Sequence, residues 1–210
     1  MIIIDTPQLA YATILKHMAS EKSSTIDAKI AKTLVLDTIR ANIVKFKRKY
    51  GPTVVLSIDD KEYWRREVFP NYKKNRQESK EKSMFDWDNI HESMNIIKTD
   101  LKVNFPHKVL CVPRAESDDI IAVLTEKFKL YEKVLIVSGD KDFKQLHGHE
   151  NVYQYAPVQK EFVTVADPSR ELKELIIRGD KGDGVPNILS DDDTFIEKSR
   201  QKQIREAILS

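Results

Sequence analysis

Short aliphatic runs that each end at a carboxylate are the feature that most constrains this chain. Ile2-Ile3-Ile4 stops at Asp5, Thr53 to Ile58 stops at Asp59, and Val134 to Val137 leads into Ser138-Gly139-Asp140-Lys141-Asp142. Lys108 to Val112 is a further run, followed closely by Glu116-Ser117-Asp118-Asp119. Helical spacings separate them. Thr6, as cap, and Pro7 open a helix over Gln8 to Met18, and Val35, Ile39, Ile43, Phe46 and Tyr50 line one face before Gly51-Pro52. Ile90, Met94, Ile97, Leu101 and Phe105 do the same behind Asp86, and Ile121, Leu124 and Phe128 behind Glu116. Val152 to Tyr155 and Phe162 to Val165 read as a hairpin or edge strands, and Pro168 to Arg178 as a helix stopping at Gly179.

Strands alternating with helices predict an α/β domain with a mainly parallel central sheet and helices on both faces. Such sheets bind ligands beyond the carboxyl ends of their strands. Parallel strands would therefore carry Asp5, Asp59, the Glu116 cluster and the Asp140 pair to one edge. Taken singly, each has an ordinary alternative: Asp5 or Asp59 as a turn or cap, Asp118 and Asp119 as acids offsetting a helix dipole, Asp140 and Asp142 as a surface turn. Taken together they predict an acidic pocket, to which Asp180 and Asp183 add two more carboxylates from a glycine-rich loop. Repulsion and desolvation in such a pocket cost several kcal/mol unless cations neutralise it. All-oxygen ligands select hard divalent ions, and two such ions about 4 Å apart suit in-line displacement at phosphorus.

Charge along the chain supports a phosphate-bearing partner. Lys plus Arg total 35 and Asp plus Glu 33 in 210 residues, a net charge of +2. Tyr63 to Lys82, however, holds seven basic residues against three acidic ones, so positive charge is segregated rather than absent. Aromatic residues Tyr63, Trp64, Phe69 and Tyr72 interleave it. Tyr72 is open between base or sugar contact and packing, and Trp64 is expected in the core. With few anchoring hydrophobes, the stretch from Tyr72 to Ser83 is expected to be mobile without nucleic acid. No apolar run approaches the ~18 residues of a membrane span, and a cytosolic location is expected. The single cysteine, Cys111, excludes an intrachain disulfide and is read as packing. His17, His91, His107, His147 and His149 form no metal-ligand spacing.

The blocks ID at Asp5, SID at Asp59, YWRR, FPNYKKNR, RAESDDIIA, VSGDKDFKQL with its following His147, and RGDKGDGVPN occur in this order, and they resemble the flap endonuclease family of 5′ nucleases over nearly all of residues 1–198. The resemblance implies that Asp5, Asp59, Glu116 and Asp118 surround one metal and that Asp140, Asp142, Asp180 and Asp183 serve a second, with Asp119 in the same network. It implies two Mg²⁺ ions, replaceable by Mn²⁺. Lys73 and Arg76 would reach the scissile phosphate from the base of a helical arch and join Asp118 and Asp140 as catalytic residues. Arg65, Arg66, Tyr72, Lys74, Lys181, Gly182 and Gly184 would share contact with nucleic acid.

The implied activity is 5′ to 3′ hydrolysis of RNA/DNA and DNA duplexes and of 5′ flaps, removing RNA primers during phage DNA replication inside the bacterial host. Implied partners are DNA and RNA/DNA hybrid with a 5′ single-stranded arm, together with a single-stranded-DNA-binding protein or sliding clamp, on a monomer that needs no membrane. A nuclease for structured RNA and a non-catalytic junction binder are the alternatives. Residues 1–165 form the expected α/β nuclease domain with a flexible basic arch over 63–85. By the same resemblance, residues 166–210 are expected to form a partial, shortened duplex-binding region that begins like a helix-three-turn-helix element. Asn187 to Asp193 departs from that element's glycine-rich second half, and Phe195 to Leu209 is expected to form a last helix.

Overall fold

Strand β1 (Ile2–Asp5) runs into α1 (Thr6–Glu21), and α2 (Ala28–Tyr50) returns the chain to β2 (Val54–Ser57). The basic stretch holds two short helices, α3 (Arg65–Val68) and α4 (Asn75–Glu81), before α5 (Trp87–Asn104) and β3 (Lys108–Leu110). Helix α6 (Ser117–Phe128) leads to β4 (Val134–Val137) and a 3₁₀ turn over Lys141–His147. Strands β5 (Val152–Ala156) and β6 (Glu161–Val163) and helix α7 (Pro168–Arg178) follow. The computed structural model describes residues 1–204.

The sheet order is β3-β2-β1-β4-β5-β6, with all pairs parallel except β5 and β6. Every residue of β1, β2 and β4 is buried, which is why these strands are written as unbroken apolar runs. Ile2 and Ile4 face a core shared with α1, α2 and α5, while Ile3 faces the opposite core with Val55, Ile121 of α6 and Phe143. The strand order reverses beside β1, between its neighbours β2 and β4. That crevice at the carboxyl edge is where an open α/β sheet receives a ligand. Among the described residues no helix is long and apolar enough to cross a membrane.

Three local expectations are corrected. The cap of α1 is Asp5, not Thr6: the Asp5 carboxylate accepts from Gln8 N at 3.3 Å, so the strand's last residue also starts the helix. Trp64 is 42% exposed rather than in the core, because its indole N–H is drawn to Asp119 at the surface. Phe195 to Ile204 contains turns and no helix, and the remainder of the expected last helix lies outside the described residues.

Helix α7 packs on the 3₁₀ turn and ends at Gly179, whose φ of +67° and tight surroundings admit no side chain. A Cβ there would lie 2.4 Å from the Pro186 carbonyl oxygen. The chain then doubles back, pairing Asp180 with Val185 and bringing the loop between them against the basic stretch.

Candidate active site: a carboxylate floor under a basic cover

The parallel strands deliver the predicted acids to one edge. Asp5 is 3% exposed and accepts from Ser138 Oγ at 2.8 Å and Ser117 Oγ at 3.2 Å. Asp59, after β2, accepts from Ser117 N at 2.7 Å. Asp140 caps the 3₁₀ turn by accepting from Asp142 N at 2.9 Å. Ser57 and Ser117 share a hydrogen bond of 2.6 Å beneath them. These serines escaped the sequence reading, although Ser117 and Ser138 sit inside the acidic blocks. Their signal was adjacency.

Burial and mutual repulsion push the floor's carboxyls upward. Asp118 is pushed up to about 8, first by desolvation and then by the charges of Asp5 and Asp140, with Lys73 opposing. Asp5 is pushed up to about 6, mainly by burial, with Asp59 and Asp140 adding to it against the Ser138 and Gln8 hydrogen bonds. Asp142 also reaches about 6, through burial and then repulsion from Asp140, Asp180 and Asp183. Burial raises Asp59 as well.

Beside this floor lies the basic stretch, held by Glu116, Asp119 and Asp183. Lys73 Nζ is 2.5 Å from Glu116 Oε1 and 3.9 Å from Asp183. Arg76 reaches Asp183 at 2.5 Å and the Gly182 carbonyl at 2.9 Å. The Tyr72 hydroxyl lies 2.8 Å from Glu116 and 2.9 Å from Asp183, so one phenol proton stands between two carboxylates. Burial first, and then those two charges, drive the Tyr72 phenol far upward. Tyr72 is thus 5% exposed here, packed under the cover rather than offered to solvent.

Arg65 grips Asp119 through both guanidinium nitrogens at 2.8 Å and reaches Glu116 at 3.1 Å. Asp119 also receives the Glu116 N–H at 3.0 Å, closing a capping box at the start of α6. Although desolvation works the other way, these bonds hold the Asp119 carboxyl below its usual range. Its oxygens anchor the cover, as those of Glu116 do. Lys141, not singled out in the sequence, pairs with Asp180 at 2.8 Å.

The remaining predicted contacts lie farther out. Arg66 stacks over the Tyr63 ring at 4.9 Å, and Lys74 meets Asn71 at 3.2 Å. The Lys181 carbonyl accepts from Asn75 at 2.6 Å. Gly184, with φ of +74°, lies so close to Asn75 that a Cβ would approach its side-chain oxygen to 2.9 Å. Gly182 and Gly184 thus seat the loop against α4.

Between cover and floor is a cleft of about 190 Å³ lined by Arg65, Tyr72, Asp118, Asp142 and Asp183 among others. A larger groove of about 800 Å³, lined by Lys32 and one face of α5, contains none of the predicted site residues. Among the described residues no group of three or more His, Cys, Asp or Glu converges tightly enough, as placed, to hold a metal. The donor chemistry nevertheless fits a hard divalent cation: all oxygen, mutually repelling, with Asp142 Oδ1 buried and without a hydrogen-bond partner.

Comparison with known proteins agrees with this architecture. Residues 1–174 match the family model described as 5′-3′ exonuclease, N-terminal resolvase-like domain. The chain is 35% identical over 215 residues to ribonuclease H of Enterobacteria phage T4, covering 99% of this chain and 70% of that protein. It is 28% identical over 163 residues to the flap endonuclease Xni of Shewanella sp. strain MR-4, covering 72% of this chain and 59% of that protein. T5 5′-exonuclease with bound divalent metal ions (zinc) superposes with a TM-score of 0.71 at 19% identity, over 91% of this chain and 70% of that one. A bacteriophage T5 flap endonuclease variant in complex with DNA and metal ions gives 0.66 at 17% identity, over 93% and 72%. By family model and by likeness to the T4 protein alike, the chain belongs to the 5′-3′ exonuclease family, in the branch of nucleases that includes flap endonucleases.

Proposed function

We propose that this chain is a divalent-metal-dependent 5′ nuclease that hydrolyses phosphodiesters near single-strand/double-strand junctions, acting on 5′ flaps and on RNA/DNA hybrids such as RNA primers in DNA replication. The observation that carries the proposal is the gathering of buried Asp5 with the half-buried Asp59, Asp118, Asp140 and Asp142 at the switch point of the sheet, with the Lys73 charge acting on Asp59 and Asp118. Junction binding alone gives no reason to keep a pocket whose carboxyls are pushed as high as about 8.

Asp5, Asp59, Glu116 and Asp118 would hold one ion, and Asp140, Asp142, Asp180 and Asp183 the other; Mg²⁺ fits this set, and Mn²⁺ substitutes. Bound there, the ions would ready a water and offset charge on the phosphate. The chain's own residues supply the rest. Ser117 and Ser138 fix the Asp5 carboxylate from below. Lys73 and Arg76, now spent on Glu116 and Asp183, would exchange those carboxylates for phosphate oxygens, placing positive charge where negative charge develops. Arg65 would keep the root of the cover attached to α6 while that exchange takes place. Residues 166–210 are assigned to the duplex side, supported by the loop from Gly179 to Val185 lying against α4.

The test is cleavage of a 5′-labelled flap and of a matching RNA/DNA duplex with Mg²⁺ and with chelator. Metal-dependent products are expected, and their lengths report trimming or junction cutting. Metal-independent cleavage, or binding without cleavage at any Mg²⁺ or Mn²⁺ concentration, would overturn the proposal.

A further inference from the structure

Resting on the metal-dependent reading above, we propose that Gln154 is a positioning residue: its side-chain amide holds the backbone of the loop 138–142 so that Asp140 and Asp142 are presented beside Asp5 and Asp118. Gln154 sits in β5 opposite Ile136, between Tyr153 and Tyr155, and is 1% exposed. A glutamine so deeply buried is costly unless every polar atom is used. Here every one is. Nε2 donates to the Ser138 carbonyl at 2.9 Å and to the Asp140 carbonyl at 2.7 Å, and Oε1 lies 3.1 Å from His147 Nε2. Two carbonyls can only accept, so the amide nitrogen must face them, and His147 must donate from Nε2.

Those carbonyls need a side chain because the ladder ends there. Ser138 N makes a ladder bond to Tyr155 O at 3.0 Å, after which the chain leaves the sheet. From the other side Gln8 Oε1 accepts Gly139 N at 2.6 Å and lies 3.0 Å from Ser138 Oγ. Gln154 thus takes the loop's carbonyls and Gln8 its N–H. The grip is transmitted directly to the acids. Asp140 N donates to Ser138 Oγ at 3.1 Å, and that hydroxyl reaches Asp5 at 2.8 Å. Leucine would fill the same space in β5 but would leave the buried Ser138 carbonyl and the half-buried Asp140 carbonyl without their partner at the point where two carboxylates must be aimed.

Mn²⁺ binding to the intact chain, measured by calorimetry without nucleic acid, tests this directly. Gln154→Leu is expected to weaken Mn²⁺ binding about tenfold, the scale on which supporting partners of metal ligands act. Saturating Mn²⁺ should recover most of its single-turnover cleavage rate, which a general loss of structure would not allow. Gln154→Glu keeps the shape but turns a double donor into an acceptor facing two acceptors, and is expected to bind Mn²⁺ at least as weakly as Gln154→Leu. Wild-type Mn²⁺ affinity in either variant, each folded by circular dichroism, would overturn the positioning role, because filling space would then suffice. Should neither variant fold, His147→Phe removes only the Oε1 partner and is expected to show a smaller loss in the same direction; no loss there would overturn the proposal. Absence of Mn²⁺ binding by the wild type would overturn the metal-dependent reading itself, an outcome distinct from wild-type binding with unaffected variants.

Discussion

The floor and the cover of the site are built by opposite means. Asp5, Asp59 and Asp140 stand at strand ends, tied to serines and backbone N–H groups that the sheet positions before any ligand arrives. The cover is supported differently: α3 and α4 contain no buried residue, and the segment is tied by charged side chains together with a few neutral bonds such as Asn75 to the Lys181 carbonyl. An exposed pair such as Arg76 with Asp183, where the Arg76 side chain is 49% exposed, contributes only about 0.2–1 kcal/mol. Lys73, Tyr72 and Arg65, gathered on the buried Glu116, must carry most of the attachment. The carboxylates that hold the cover down are among those expected to hold metal, so a cation and the cover compete for Glu116 and Asp183. A rigid floor sets the geometry of chemistry, and a cover held by exchangeable charges can be handed from protein acids to phosphates.

The strongest way to break this contrast is in the floor. Asp118→Asn or Asp140→Asn should lower cleavage by roughly 10²–10³-fold, the scale seen when a transition-state stabiliser is removed, while raising the thermal midpoint of the metal-free protein by relieving repulsion. A fall in both activity and midpoint would show the acids to be structural. In the cover, Lys73→Ala should reduce the single-turnover rate by about 10²-fold with substrate affinity changed far less. The opposite split would make Lys73 a binding residue only.

Acidity sharpens the comparison further, because Asp5, Asp118 and Asp142 have folded values above their ordinary ones. The folded state then binds protons more tightly than the unfolded state. Without metal, stability from these groups is present at low pH and is lost as pH rises toward about 8. Thermal melts in chelator should show the midpoint falling between about pH 5 and pH 8, with Asp118→Asn flattening the slope. A midpoint rising across that window would contradict the repulsive floor. The smallest effect is expected for Arg65→Lys, which keeps the charge but loses the paired bonds to Asp119, costing about 1 kcal/mol. Limited proteolysis should then cut within residues 65–83 sooner than in the wild type.

The sheet was legible because strands buried on both faces cannot interrupt their apolar runs, and its acids were legible because each run stops at one or leads to one within a few residues. Asp5, Asp59, Glu116 and Asp140 needed only parallel pairing to converge. What the chain does not write locally is which partner a polar group will find. By sequence Arg65 gives no sign that α6 will bring Asp119 to it, and Trp64 looks like core until its N–H finds the same carboxylate. Gln154 is one polar residue in an edge hairpin by sequence, and only the placement of β5 beside β4 sets it under two carbonyls. Thr6 and Asp5 compete for one cap, and the winner is decided by where β1 ends.

Lys73 adopts φ of +59°, and its backbone N–H donates to the Asp183 carbonyl at 2.8 Å. That bond joins the backbones of the basic stretch and the glycine loop directly, across a sequence separation far longer than either segment. The backbone that carries the Lys73 ammonium is thus anchored to the loop beyond Gly179, so a displacement of that loop would be passed to Lys73. Two segments more than a hundred residues apart in sequence would then move together without any rearrangement of the sheet.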